Sequence, residues 1–323
     1  EVTSNSFMGK TGVMLTEDET GIIIGHTLIR KTLHETNISF LTPRRYTFYR
    51  DTANEEGVVR VKEEVDLGET GSGIFDVLGT TDKADENIVD LSGERRYSGF
   101  DLVNDGTTFT AENITIENGS LAMLSRNNTE TTGTLTNVVF TNNERAIENR
   151  SGHITLDNVT VNNKTNDANN DVVNNDYLEV IDSNLNSTLS NTTTSDDITA
   201  ITTTSGINEF NIVNNAGELD LYGTDTVADL TNQENSTVNT RVSSTIHKFL
   251  NEGTVNLEGV NSIRELTNNA TGTLTSTAAT ELREATNYGN IYLHGANDSV
   301  RILLTNYNNV ETTRNTTDRK STR

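Results

Sequence analysis

An asparagine returns at a nearly constant interval down the last third of the chain, at Asn214, Asn232, Asn251, Asn268, Asn287 and Asn306. The steps are 18, 19, 17, 19 and 19 residues. Two positions ahead of each stands an apolar residue: Ile212, Leu230, Phe249, Leu266, Ala285 and Leu304. A second apolar residue follows 12 to 14 positions after each of the first five, at Val227, Ile246, Ile263, Leu282 and Val300. A repeat of this length matches one coil of a β-solenoid, in which each coil buries its apolar side only against its neighbours. The chain therefore reads as all-β, a right-handed parallel β-helix of 10–15 coils, each of about 17–24 residues. Coil lengths that vary this much suit the right-handed form, because a left-handed one is built from strict six-residue units.

Composition supports the period. Hydrophobic residues are 32% of the chain, below the ~45–50% of a globular domain. A solenoid core one side chain thick needs no more. Asn and Thr together make up about 30% of the chain. Thr suits strands, and Asn suits bends because it tolerates the left-handed conformation. One proline, Pro43, in 323 residues fits a chain that is nearly all hydrogen-bonded ladder. Without cysteine there is no disulfide and no thiol chemistry. A net charge of −23 argues against nucleic acid and anionic membranes as partners. No run of 18 apolar residues offers a transmembrane helix.

Three zones divide the chain. Residues 1–97 are the most charged and read as irregular N-terminal coils and a cap. Residues 98–310 form the β-helix proper. Within them Phe109-Thr-Ala-Glu-Asn-Ile-Thr-Ile116 aligns with Leu135-Thr-Asn-Val-Val-Phe140 and Ile154-Thr-Leu-Asp-Asn-Val-Thr-Val161. That alignment superposes Asn113, Asn137 and Asn158. Polar insertions at 162–170 and 187–197 read as loops thrown out from the coils. Residues 311–323 read as a polar C-terminal tail or cap.

Phe140-Thr-Asn-Asn143 followed by Ala146-Ile147 resembles the repeat of polymorphic outer-membrane proteins, which pairs F-x-x-N with G-G-A-(I/L/V). Glu144 and Arg145 stand where that family has its glycines. The C-terminal coils, as in Leu250-Asn-Glu-Gly-Thr-Val-Asn-Leu257, resemble the passenger domains of bacterial autotransporter adhesins. The resemblance implies a β-helix displayed on a bacterial surface for adhesion. It also implies an extracellular location and a partner that is a protein or glycan on a host or neighbouring cell. An alternative is a filament or sheath of copies stacked end to end.

The asparagine column itself is expected to be structural. The apolar residue two positions earlier shares its strand face, so each amide points inward and bonds the amide of the next coil. A catalytic reading is weaker. Parallel β-helices also house polysaccharide lyases and hydrolases, whose acid–base chemistry needs carboxylates converging on one face. Here Asp196-Asp197 lies in a polar insertion, and Gly152-His153 lacks a second glycine. The pairs Asp85-Glu86 and Asp225 with Asp229 do not recur at coil spacing. None of His26, His34, His153, His247 and His294 has metal-ligand spacing with another. The chain reads as a cofactor-free non-enzyme. Ca²⁺ is the one ligand its acidic stretches Asp82–Glu86 and Asp167–Asp176 suggest.

Overall fold

The structure is a computed structural model. It describes side chains at residues 82–85, 108–119, 121–125, 132–162, 171–192, 199–301 and 303–312, and strands alone over much of the rest. It is all-β, with parallel strands stacked as a solenoid of about nine turns. The only helix among the described residues is one 3₁₀ turn, Ala84–Glu86. Two compact units divide the chain, Glu1–Val172 and Val173–Arg323.

In the second unit each coil contributes one long and one short strand. Ile207–Asn215 is followed by Glu218–Leu221, and Thr224–Asn232 by Thr237–Thr240. Successive long strands pair in parallel, with Phe210 beside Val227, Val227 beside Ile246, and Ile246 beside Ile263. The ladder skips one residue in the middle of each long strand. Pairing runs through Phe210↔Val227, resumes at Ile212↔Asp229, and omits Asn211. Burial shows why. Asn208, Phe210, Val213 and Asn215 face inward, so the strict alternation of a flat strand breaks between 210 and 213. Two consecutive outward residues mark a corner, and each coil has three sides.

Apolar residues fill the inside in vertical columns. One column contains Val213, Leu230, Phe249, Leu266, Ala285 and Leu304. Burying each large member of such a column is worth about 1.5–3 kcal/mol. The outer positions carry the Thr, Asn and charged residues that lower the overall hydropathy.

The first unit stacks in the same way over its later part. Thr108–Glu117 pairs in parallel with Thr132–Thr141, which pairs in turn with His153–Asp157. Ile114 lies beside Val138, which places Asn113 beside Asn137 as the repeat alignment requires. Earlier strands behave differently. Thr16–Asp18, Gly21–Ile24 and Thr27–Arg30 pair antiparallel. So do Thr36–Ser39 with Arg45–Phe48, and Val59–Val65 with Gly73–Gly79. Gly73–Gly79 also pairs in parallel with Thr108–Glu117, as does Ile88–Asp90. Within the zone expected to form irregular coils, the described strands from Thr16 to Val65 pair antiparallel and parallel stacking begins at Gly73, in a solenoid of about nine turns. At the other end Thr317–Asp318 and Ser321–Thr322 pair in parallel with Ser299–Asn306. The polar tail extends the ladder.

Candidate functional site

The most ordered polar feature of the described residues is a single file of asparagines inside the second unit. The Nδ2 of each donates to the Oδ1 of the next. Asn174 donates to Asn191 at 2.9 Å, Asn191 to Asn215 at 2.9 Å, and Asn215 to Asn232 at 2.8 Å. Asn232 donates to Asn251 at 2.9 Å, Asn251 to Asn268 at 2.7 Å, Asn268 to Asn287 at 2.7 Å, and Asn287 to Asn306 at 2.8 Å. Each amide also closes the bend that follows it. The Oδ1 of Asn251 accepts from the Gly253 amide at 3.2 Å, and its Nδ2 reaches the Gly253 and Thr273 carbonyls. Buried amides are costly unless every group is paired, and identical neighbours one coil away supply the partners.

Five of the six expected members stand in this file, and Asn214 does not. Its neighbour Asn215 takes the place, fully buried beside Val213, which is 1% exposed. Ile212, 37% exposed, and Asn214 face outward. The doublet Asn214-Asn215 offers two candidates one residue apart, and a one-residue shift reverses which face a side chain occupies. Asn174 and Asn191 are additional members. Their signal was present in the sequence, since Val172 and Leu189 sit two positions ahead of them as in every other rung.

The first unit has its own file. Asn137 donates to the Oδ1 of Asn113 at 2.7 Å and to the Asp82 carbonyl at 2.9 Å; Asn158 donates to Asn137 at 3.3 Å. Here the later residue donates to the earlier. All three adopt left-handed backbone, with φ of 53–55°. That geometry costs most residues 1–2 kcal/mol and asparagine less. In the F-x-x-N segment Phe140 is buried, and Asn143 accepts from the Gly119 amide at 2.8 Å while donating to the Ile116 carbonyl at 2.9 Å.

A second polar column lies at another corner of the second unit. Asp225, 1% exposed, accepts from Asn208 Nδ2 at 3.0 Å and Thr203 Oγ1 at 2.8 Å. Burial raises its pKa to about 6 against the pull of these bonds. Sequence reasoning missed this column because its members change identity from coil to coil. Asp229, on the same strand, faces outward and meets Lys248 at 3.3 Å, so Asp225 and Asp229 do not converge.

The other candidate residues are dispersed. Asp85, His153 and His247 are exposed, and His294 lies 3.3 Å from Glu311. His26, His34, Asp167 and Asp196-Asp197 fall outside the described residues. Asp171 is buried and Asp176 half-buried. Among the described residues no three His, Asp, Glu or Cys side chains gather as metal ligands. Outside the coils, Tyr288 and Tyr307 stack at 4.8 Å, and Arg241 lies 4.3 Å from the Tyr222 ring centre. A groove of about 370 Å³ crosses the face lined by Asp229, Lys248, Glu265 and Glu284. No helix among the described residues is long and apolar enough to cross a membrane.

No protein-family model, curated protein sequence or solved structure matches the chain.

Proposed function

We propose that the chain is an extracellular β-solenoid of a bacterial surface protein, acting as a stalk or adhesin rather than as an enzyme. The observation that carries this reading is the unbroken file of amides from Asn174 to Asn306. The most regular polar residues of the repeat are spent on one another, inside the coils. What the repeat preserves is the stack, which is the requirement of a scaffold. The net charge of −23 and the Thr/Asn-rich outer positions suit exposure to solvent and salt.

Binding on such a scaffold falls to loops. Of the insertion expected at 187–197, residues 187–191 belong instead to the strand Asn184–Asn191. The polar stretches 163–170 and 193–197, which fall outside the described residues, are the segments proposed to meet a protein or glycan on another cell. The test is to present the labelled chain to glycan arrays and intact cells, and to assay acidic polysaccharides in parallel for new reducing ends or unsaturated products. Binding that weakens when 163–170 is replaced by a Gly/Ser linker, with no product formed, is the expected result. Product release would replace the scaffold reading with a carbohydrate-active enzyme.

A further inference from the structure

The polar corner that holds Asp225 continues upward, and its hydrogen bonding is uneven. At one level Ser276 Oγ bonds Thr280 Oγ1 at 2.9 Å and Asp298 Oδ1 at 2.9 Å, and the corner satisfies itself. At a lower level Thr203, Asn208 and Asp225 do the same. Between these levels stand Thr240, Ser244 and Asn261. Thr240 and Ser244 have the same four-residue separation as Ser276 and Thr280. Thr245 pairs with Ser262, which sets Ser244 beside Asn261 in successive coils.

These three residues are 0%, 1% and 3% exposed, and Thr240 Oγ1, Ser244 Oγ and Asn261 Oδ1 have no hydrogen-bond partner among the described residues. Three orphaned polar atoms at one buried corner run against the general rule that such atoms are paired. Their number and type are informative. A buried water makes about three hydrogen bonds. It can donate to the carbonyl oxygen of Asn261, and two hydroxyls can each donate to it or accept from it. A cation fits less well. Hard cations take about six to eight oxygens, these three are neutral, and the Asp225 carboxylate already accepts from Asn208 and Thr203.

We infer that Thr240, Ser244 and Asn261 form a binding site for one structural water molecule inside the coil stack. This site is independent of what the outer loops bind. It satisfies a corner where the side chains do not satisfy one another.

A crystal structure of the whole chain that resolves ordered solvent tests the proposal. One solvent peak about 2.8 Å from all three oxygens is expected. Thr240→Leu introduces the side chain that Leu221 and Leu257 carry in the same column. In that variant the peak should be lost, together with the long-lived water signal in NMR relaxation dispersion. Ser244→Ala, which removes one partner without added bulk, should shorten the water's residence at least tenfold and serves if Thr240→Leu does not fold. Two outcomes overturn the proposal. One is direct contact between the Thr240 and Ser244 hydroxyls with no solvent peak. The other is a peak about 2.4 Å from the oxygens, with a Tm that rises on adding Ca²⁺ or Na⁺ at constant ionic strength.

Discussion

Asn251→Ala removes one rung from the middle of the buried file, and its consequences can be followed atom by atom. Two groups lose their partner. The Oδ1 of Asn268 loses the Nδ2 that approached to 2.7 Å, and the Gly253 amide loses the oxygen at 3.2 Å. The Nδ2 of Asn232 keeps the Thr254 carbonyl at 3.1 Å and is not orphaned. Each orphaned buried group costs about 1–3 kcal/mol, which places the local loss near 4 kcal/mol. At ~1.4 kcal/mol per factor of ten, amide protection across the adjacent coils should fall by about a thousandfold. Hydrogen exchange read by mass spectrometry on peptides spanning 243–293 measures this directly, because solenoid stability is a sum over neighbouring coils. The denaturant midpoint provides a second reading. Protection and midpoint both within about 0.5 kcal/mol of the parent would refute the claim that the file holds the coils together.

Three further outcomes follow from the same geometry. Asn214→Ala should change stability by less than about 0.5 kcal/mol, as surface substitutions do, while Asn215→Ala should match Asn251→Ala; equal effects in urea unfolding would contradict the inward assignment of Asn215. Asp225 has a folded pKa of about 6 against the usual 3.8, so its contribution is fully present below about pH 4 and is lost as pH rises through 6. The shift corresponds to roughly 3 kcal/mol, and the stability difference between the parent and Asp225→Asn should decline across that window; a flat difference from pH 4 to 8 would remove the buried carboxylate from the account. Gly206 has φ +80°, and a Cβ there would collide with the Asp182 side chain, whose Oδ1 accepts from the Ile207 amide. Gly206→Ala should therefore cost about 1–3 kcal/mol, seen as a lower Tm.

Much of the architecture was legible because a solenoid repeats its physics. Leu230, Phe249, Leu266 and Leu304 each sit two positions ahead of an asparagine, and one shared strand face accounts for both being inward. The alignment of Asn113, Asn137 and Asn158 survived for the same reason, since parallel in-register stacking turns sequence alignment into contact. Asn214 misled because two adjacent asparagines look alike in sequence and point in opposite directions in a strand. The Thr203–Asn208–Asp225 corner was illegible because hydrogen bonding between coils accepts Thr, Asn, Asp or Ser in turn, and such a column has no single-letter period.

The repeat alone predicts coils near 19 residues long, with an inward asparagine recurring at a bend. Spacing and alternation carry that information, and both are local properties of a strand. Which amide of a doublet enters the file, the antiparallel pairing of the strands between Thr16 and Val65, and the enclosure of a carboxylate at a corner emerge from the fold alone. Each of these depends on which residues of distant coils come into register, and no single coil encodes that.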